Sequence, residues 1–243
     1  MSIKDILARG KSKSGFVALK GELEAEGLTQ IEVAKEAIIA AKNGLDYLIK
    51  IGGCEAKSNL QYLADIGITS VVAPMVESQF AMEKYMEMLP DGAFEHVSVT
   101  IETITAVENI EHILAAGTKL TEVTIGRTDL TASYHGTDVE SERTINMVKR
   151  VARLAKDRGL HVTMGGSISK RTVDTLLRDL ELAELVDFIE TRKVVMDVEK
   201  FVLPGSLENS LEFELAILEE RLQANETAVE SAKKRKIALS SRL

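Results

Sequence analysis

The chain has 243 residues and a formal net charge of -8, which fits one domain and argues against nucleic acid or an anionic membrane as the main partner. Hydrophobic residues make up 45% and charged residues 28%, so the core needs no covalent staples. The single cysteine, Cys54, excludes an intrachain disulfide and suits a reducing compartment. No stretch approaches the about 20 apolar residues of a membrane span. The polar run from Gly10 to Gly15 breaks any secretory apolar segment, so a cytoplasmic enzyme is expected.

Short apolar runs alternate with longer amphipathic stretches. Residues 15–22 read as a strand, and 31–41 as a helix ended by Asn43-Gly44. Residues 46–53 read as a second strand and 59–66 as a helix stopped by Gly67. Residues 68–76 form the third strand, and 79–89 a helix stopped by Pro90. Residues 96–101 are the fourth strand and 106–116 a helix closed by Gly117. Residues 120–126 are the fifth strand, and 141–158 a long helix closed by Gly159. Residues 161–165 are the sixth strand, 172–185 a helix and 186–190 the seventh strand.

Strands alternating with helices in this way imply a parallel sheet. The strand ends at Glu22, Gly53, Glu77, Glu102, Asp129, Gly165 and Glu190 are mostly 24–31 residues apart, once 36, which is a βα repeat length. No Gly-rich dinucleotide fingerprint follows the first strand. The expected fold is therefore a TIM-type (β/α) barrel over residues 1–205. Seven strands are counted. The eighth element is a degenerate one in residues 1–14, is absent, or lies within 194–202. Residues 206–243 form a separate extension, with Leu207, Leu211, Leu215, Leu218, Leu222 and Val229 at helical spacing among many Glu residues. This long C-terminal helix covers its own barrel or packs on a neighbour, and a homo-oligomeric contact is the expectation. The basic run Lys233-Lys234-Arg235-Lys236 reads as a solvated helix end.

In a parallel barrel, residues just past a strand's C-terminal end face the active-site mouth. That rule selects Glu22, Glu24 and Glu26, then Lys50 with Cys54 and Glu55, then Glu77, Glu102, Arg127 and Asp129. Clustered carboxylates repel one another, and a hard divalent cation removes the conflict while keeping positions open for substrate oxygens. Lys50 alternates with Ile49 and Ile51, so it points opposite to them; in a barrel strand that can be the interior, where a charge needs a reason. Other readings stand beside these: Glu102 favours the N-terminus of the next helix, and Asp129 caps a turn. Cys54 reads as a small buried residue rather than a nucleophile, and His135 as a base or a loop residue.

Three segments carry a family resemblance. Val72-Ala73-Pro74-Met75-Val76-Glu77-Ser78 resembles the "PMVET" strand of the HpcH/HpaI aldolase and citrate lyase β-subunit family. Val99-Thr100-Ile101-Glu102-Thr103 with Ala106-Val107-Glu108-Asn109-Ile110 resembles its "QIET…AVENID" segment. Ile125-Gly126-Arg127-Thr128-Asp129-Leu130-Thr131-Ala132-Ser133 resembles its "IGPxDLSxS" segment. The likeness runs over about residues 45–190, in the family's order and spacing.

The resemblance implies Mg²⁺ or Mn²⁺ held by Glu102 and Asp129, with a pyruvate-like 2-oxo acid, oxaloacetate or an acyl-CoA ester as substrate. It implies substrate contacts from Lys50, Gly126, Arg127 and Thr128. Physically, this is Lewis-acid stabilisation of a carbanion next to a carbonyl. Three departures stand out. The family's Arg on the second strand is Lys50 here, and a point charge is not a fork. The "DGEH" histidine is missing, the matching stretch being Lys20-Gly21-Glu22-Leu23, so the proton shuttle falls to Glu22, Glu24, His135 or water, with Glu22 the expected acid–base residue. Arg127 replaces the Pro of "GPxDL", so an extra carboxylate or phosphate on the substrate is expected. The function expected is a metal-dependent carbon–carbon lyase working through the enolate of pyruvate or a related 2-oxo acid. The rivals are a related reaction on a phosphoenolpyruvate, oxaloacetate or acyl-CoA-like substrate, and a non-catalytic binding subunit.

Overall fold

The computed structural model describes residues 2–240, so the last three residues of the C-terminal extension lie outside the described residues. Helix α1 (Ile3–Ser14) comes first, opened by a capping box between Ser2 and Asp5 and closed by Gly15 at φ 66°. Strand β1 (Phe16–Glu22) follows, then α2 (Gln30–Lys42), β2 (Asp46–Lys50), α3 (Lys57–Asp65), β3 (Ser70–Ala73), α4 (Gln79–Met88) and β4 (His96–Ile101). The next elements are α5 (Ile104–Glu108), α6 (Ile110–Ala116), β5 (Glu122–Gly126), α7 (Arg127–Ser133), α8 (Glu142–Lys156) and β6 (His161–Gly165). Last come α9 (Lys170–Arg178), α10 (Leu180–Leu185), β7 (Phe188–Glu190), β8 (Val194–Asp197), α11 (Val198–Phe201) and α12 (Ser206–Ser240).

The eight strands close into one barrel in the order β1-β2-β3-β4-β5-β6-β7-β8. Strands β1 to β7 pair in parallel, as the βα rhythm implied. The wholly parallel sheet does not hold at β8, which lies antiparallel to both β7 and β1. The reason is connection length. Only Thr191, Arg192 and Lys193 separate β7 from β8, and a parallel crossover needs a dozen or more residues. The eighth strand thus falls within 194–202, while residues 3–14 form a helix. Two helices expected as continuous are broken, at Asn109 and at Asp179, whose side chain accepts from the Leu182 amide and caps α10.

Alternation decides what enters the barrel. Leu19, Ile49, Val71, Val99, Val123 and Ile189 belong to the main core between sheet and helices. Ala18, Leu48, Val72 and Val195 form a separate small apolar cluster against Phe188, on the opposite, interior face. Two residues further along, that same face carries Lys20 on β1 and Lys50 on β2, and Glu190 follows Phe188 on β7. The register sets Glu22 beside Lys50 and Gly165 beside Glu190.

The first half of α12 lies on its own chain. Leu207, Phe213 and Ile217 are buried, and the helix packs along α1. Asn209 donates to Ser14 Oγ at 2.6 Å, and Arg9 pairs with Glu212. Further along, Arg221 joins Lys193 in a buried ionic group with Glu26 and Glu36, and the Tyr47 hydroxyl donates to Glu36 at 2.7 Å. Leu211, Leu215, Leu218, Leu222 and Val229 remain exposed. Among the described residues, no helix is long and apolar enough to cross a membrane.

Candidate active site

The C-terminal ends of the parallel strands open into a cavity of about 450 Å³. Its lining includes Lys20 and Glu22 from β1, Lys50 from β2, Thr100 and Glu102 at β4, and Gly126, Thr128 and Asp129 at the β5–α7 junction. Gly166 and Ser167 follow β6, while Glu190, Thr191 and Arg192 come from the β7–β8 hairpin. Leu211 and Glu214 of α12 complete the rim.

Glu102 is the most constrained acid. It is buried, and both carboxylate oxygens are held: Oε2 accepts from Lys50 Nζ at 3.2 Å and Oε1 from the Met75 amide at 3.0 Å. Met75 presents that amide from a left-handed conformation, φ 53°, which costs a non-glycine residue about 1–3 kcal/mol. Strain of this kind persists where the surroundings enforce it, and here it aims a donor at a carboxylate. Burial pushes the Glu102 carboxyl above its ordinary value, and the charge of Asp129 acts in the same direction, against Lys50 and the Met75 amide. Gly126 makes room for this group, because a Cβ there would stand 3.0 Å from both Cβ and Oε2 of Glu102.

Asp129 sits in the first turn of α7, exposed at the mouth. Among the described residues no group of three or more His, Cys, Asp or Glu side chains is arranged to hold a metal. The donor set is thus two carboxylates, Glu102 and Asp129. Two hard oxygen donors with free positions for water and substrate suit Mg²⁺ or Mn²⁺, and a cation between them would offset the burial that raises Glu102 and the smaller repulsion from Asp129. The residues fit such an ion.

The other side of the cavity is built around Lys20. Its ammonium lies 2.7 Å from Glu22 and also pairs with Glu190, all three side chains being buried. Burial works against the Lys20 charge, but Glu190 and Glu22 outweigh it and raise its pKa. Burial likewise opposes the Glu22 carboxylate, yet Lys20, then Lys50 and Arg192, hold it below the ordinary range. Glu22 is therefore a carboxylate at neutral pH, able to accept a proton. Arg192 lies 4.0 Å from Glu22. Burial pushes the Glu214 carboxyl up, and Arg192 pulls it down.

The cavity brings together Glu22, Lys50, Glu102, Gly126, Thr128 and Asp129, but not Arg127. The Arg127 side chain is 0% exposed and turned away from the mouth. It donates to Glu140 at 2.8 Å, to the carbonyls of Gly165 and Gly166 at 3.2 and 3.1 Å, and to Thr172 at 3.2 Å. The backbone leaves β5 at Gly126 and enters α7 at Arg127, so strand alternation ceases to predict direction at that residue. The extra substrate anion expected from Arg127 loses its basis. Thr128 stays at the mouth, sharing a hydrogen bond with Ser167 at 2.9 Å. Gly166, at φ 86°, passes so close that a Cβ there would sit 2.5 Å from the Thr128 nitrogen.

Glu24, Glu26, Cys54, Glu55, Glu77 and His135 do not line the cavity. Sequence reasoning passed over Lys20, Glu190, Arg192 and Glu214 as site residues. Lys20 carried a usable signal, since it stands two residues before Glu22 and so shares its face. Glu190 ends a strand and met the same rule as Glu102. Arg192 and Glu214 carried none, because their positions depend on the hairpin and on where α12 lies.

Residues 29–188 match the family model described as HpcH/HpaI aldolase/citrate lyase. A comparison with curated proteins finds no match. Among solved structures, the chain is similar to an HpcH/HpaI aldolase from Desulfitobacterium hafniense DCB-2, at 17% identity and TM-score 0.62, covering 77% of this chain and 80% of that one. It is similar to the citrate synthase SbnG, at 14% identity and TM-score 0.62, covering 91% of each chain. A malate synthase from Haloferax volcanii, in a pyruvate/acetyl-CoA ternary complex, matches at 14% identity and TM-score 0.56, covering 75% of this chain and 58% of that one. At these identities the structural likeness speaks for the barrel fold alone.

Proposed function

We propose that this protein, which belongs to the HpcH/HpaI aldolase/citrate lyase family, is a metal-dependent carbon–carbon lyase acting through the enolate of pyruvate or a related 2-oxo acid. The observation that carries this reading is the pairing of a buried acid, Glu102, with Asp129 at one side of a cavity whose other side holds an ionised carboxylate, Glu22. Lys50 ties the two sides, being paired with Glu102 and adjacent in register to Glu22.

Each residue then has a task. Glu102 and Asp129 would hold the divalent cation. When bound, that cation supplies Lewis-acid stabilisation of charge developing on the 2-oxo group. Lys50 attracts the substrate carboxylate and offsets the same developing charge. Thr128 and the backbone at Gly126 shape the pocket beside it. Glu22 takes the proton from the carbon next to the carbonyl, the task that the missing family histidine leaves open. Lysis and condensation use the same site in opposite directions.

Exchange of the pyruvate C3 protons in D₂O, followed by NMR with and without Mg²⁺ or Mn²⁺, tests the reading. Metal-dependent exchange is expected, and Asp129→Asn should lower both exchange and metal affinity, by about 100-fold in rate. Full exchange by Asp129→Asn with metal still bound would refute the assignment of the metal site.

The exposed Leu215, Leu218, Leu222 and Val229 stripe on α12 supports a second proposal, that two copies of the chain pair along this helix in a homo-oligomer.

A further inference from the structure

The two acids assigned to the cation come from different strands, and the sheet itself does not fix their separation. The parallel ladder between β4 and β5 ends at the pair Ile101 and Ile125. Glu102 lies one residue past that pair and Asp129 four. Glu102 is held from the β3 side by the Met75 amide, and from β2 by Lys50. Asp129 accepts no hydrogen bond and joins no ion pair among the described residues. Its place is set by where α7 lies.

Helix α7 is held on two sides. On one side Thr131 shares a hydrogen bond with Thr144 of α8 at 3.1 Å, and the Tyr134 hydroxyl reaches the same threonine at 2.7 Å. Those contacts fix α7 to the outer helix layer, not to the strand that bears Glu102. On the other side Ser133 meets the turn after β4. Its Oγ accepts from the Ile104 amide at 2.8 Å and donates to the Leu130 carbonyl of its own helix at 2.7 Å. Among the described residues, no other hydrogen bond joins residues 103–109 to residues 127–133.

This bond has the geometry of a spacer. A serine hydroxyl has one hydrogen to give. Leu130 takes it, so the oxygen faces Ile104 as an acceptor in a direction set by its own helix. Ser133 stands four residues after Asp129, one turn along the same side of α7. Ile104 opens α5 directly behind Thr103, whose hydroxyl caps that helix by accepting from the Ala106 amide at 3.1 Å. The capped turn begins one residue after Glu102. A single hydroxyl therefore ties the turn that follows Glu102 to the helix that carries Asp129.

On the metal reading given above, we propose that Ser133 is a positioning residue, whose hydrogen bond to the Ile104 amide holds Glu102 and Asp129 at the spacing that one divalent cation needs. Ligand side chains must be held within about 0.5 Å of the productive geometry, and loss of an outer support lowers metal affinity about 10–100-fold. A serine that served only to satisfy the first amide of α5 would contribute to stability and leave metal binding alone.

The test titrates the full chain with Mn²⁺ and follows the free ion by electron paramagnetic resonance, a readout that needs no turnover. Ser133→Ala is expected to weaken Mn²⁺ binding about tenfold or more. If the alanine variant folds badly, Ser133→Cys nearly keeps the side-chain volume while offering a poor acceptor, and the same loss is expected. Ser133→Thr keeps the hydroxyl and should bind as tightly as the parent chain. Thr29→Ala removes the cap of α2, outside the cavity lining, and should lose stability yet bind Mn²⁺ as the parent does. Unchanged affinity in the Ala and Cys variants overturns the role of Ser133 and leaves the metal reading intact, as does an equal loss in Thr29→Ala, which would mean that affinity merely follows stability. A parent chain that binds no Mn²⁺ overturns both.

Discussion

Arg127 with Glu140, and Lys20 with Glu190, are two buried cation–carboxylate pairs at the same end of the barrel, and their surroundings differ. Around Arg127 every group is answered. Glu140 accepts from Arg127, Thr172 and Thr175, and the guanidinium also donates to the Gly165 and Gly166 carbonyls and to the Thr172 hydroxyl. Around Lys20 the bonding stops short. Among the described residues, one Glu190 oxygen has no hydrogen-bond partner, and the second oxygen of Glu22 lies 4.0 Å from Arg192. The first pair also lies outside the cavity and the second lines it. A saturated buried pair locks two loops together. The Lys20 group lines the cavity instead, with fewer of its acceptor positions answered among the described residues.

Removing the saturated pair should have the largest effect on folding. Arg127→Met leaves the Glu140 carboxylate buried without its cation and should cost about 3–5 kcal/mol in a urea unfolding experiment. If stability barely changes, the two pairs are not the opposites described above, and Arg127 regains a claim on the substrate. The pH dependence sharpens the same contrast. Glu140 is held below its ordinary value of 4.5, where burial is outweighed by Arg127 and by the Thr172 and Thr175 hydroxyls; Glu22 is depressed by Lys20. A depressed carboxyl contributes stability that is present above the unfolded value and lost as pH falls through the folded one. Stability should therefore decline below about pH 4.5, and Glu22→Gln should make that decline shallower. An unchanged acid slope in Glu22→Gln would mean that Lys20 is held by Glu190 alone. The smallest effect on folding belongs to the outer face of α12. Leu215→Glu should alter monomer stability by no more than about 0.5 kcal/mol, yet shift sedimentation toward the monomer. Sedimentation identical to that of the parent chain would remove the paired-helix proposal.

The two halves of the mouth also differ in how far the amino-acid order reveals them. Glu102 ends a strand that reads plainly from its alternation, and the structure places it where the strand-end rule put it. Seven strands and the long C-terminal helix were legible for the same reason, since periods of 2 and 3.6 residues mark strand and helix faces locally. The eighth strand was located only as one of three options, because Val194–Asp197 is too short to show a period. Its antiparallel direction follows from a three-residue connection that reads as an ordinary loop.

Arg127 shows where the strand-end rule fails. A residue one place past a strand can continue the alternation or enter a helix, and the turn's backbone angles decide which. Lys20 was legible in principle, two residues from Glu22 on the same face, but nothing local says that its partner is Glu190, 170 residues away. The amino-acid order determined the βα repeat and placed Lys50, Glu22, Glu102 and Asp129 at the mouth, because alternation and element length are local properties of the chain. Closure of the barrel decided the rest: which carboxylates share a cation, which arginine is walled off, and which face of α12 meets the rim. Those depend on strands and helices distant in the chain meeting in space.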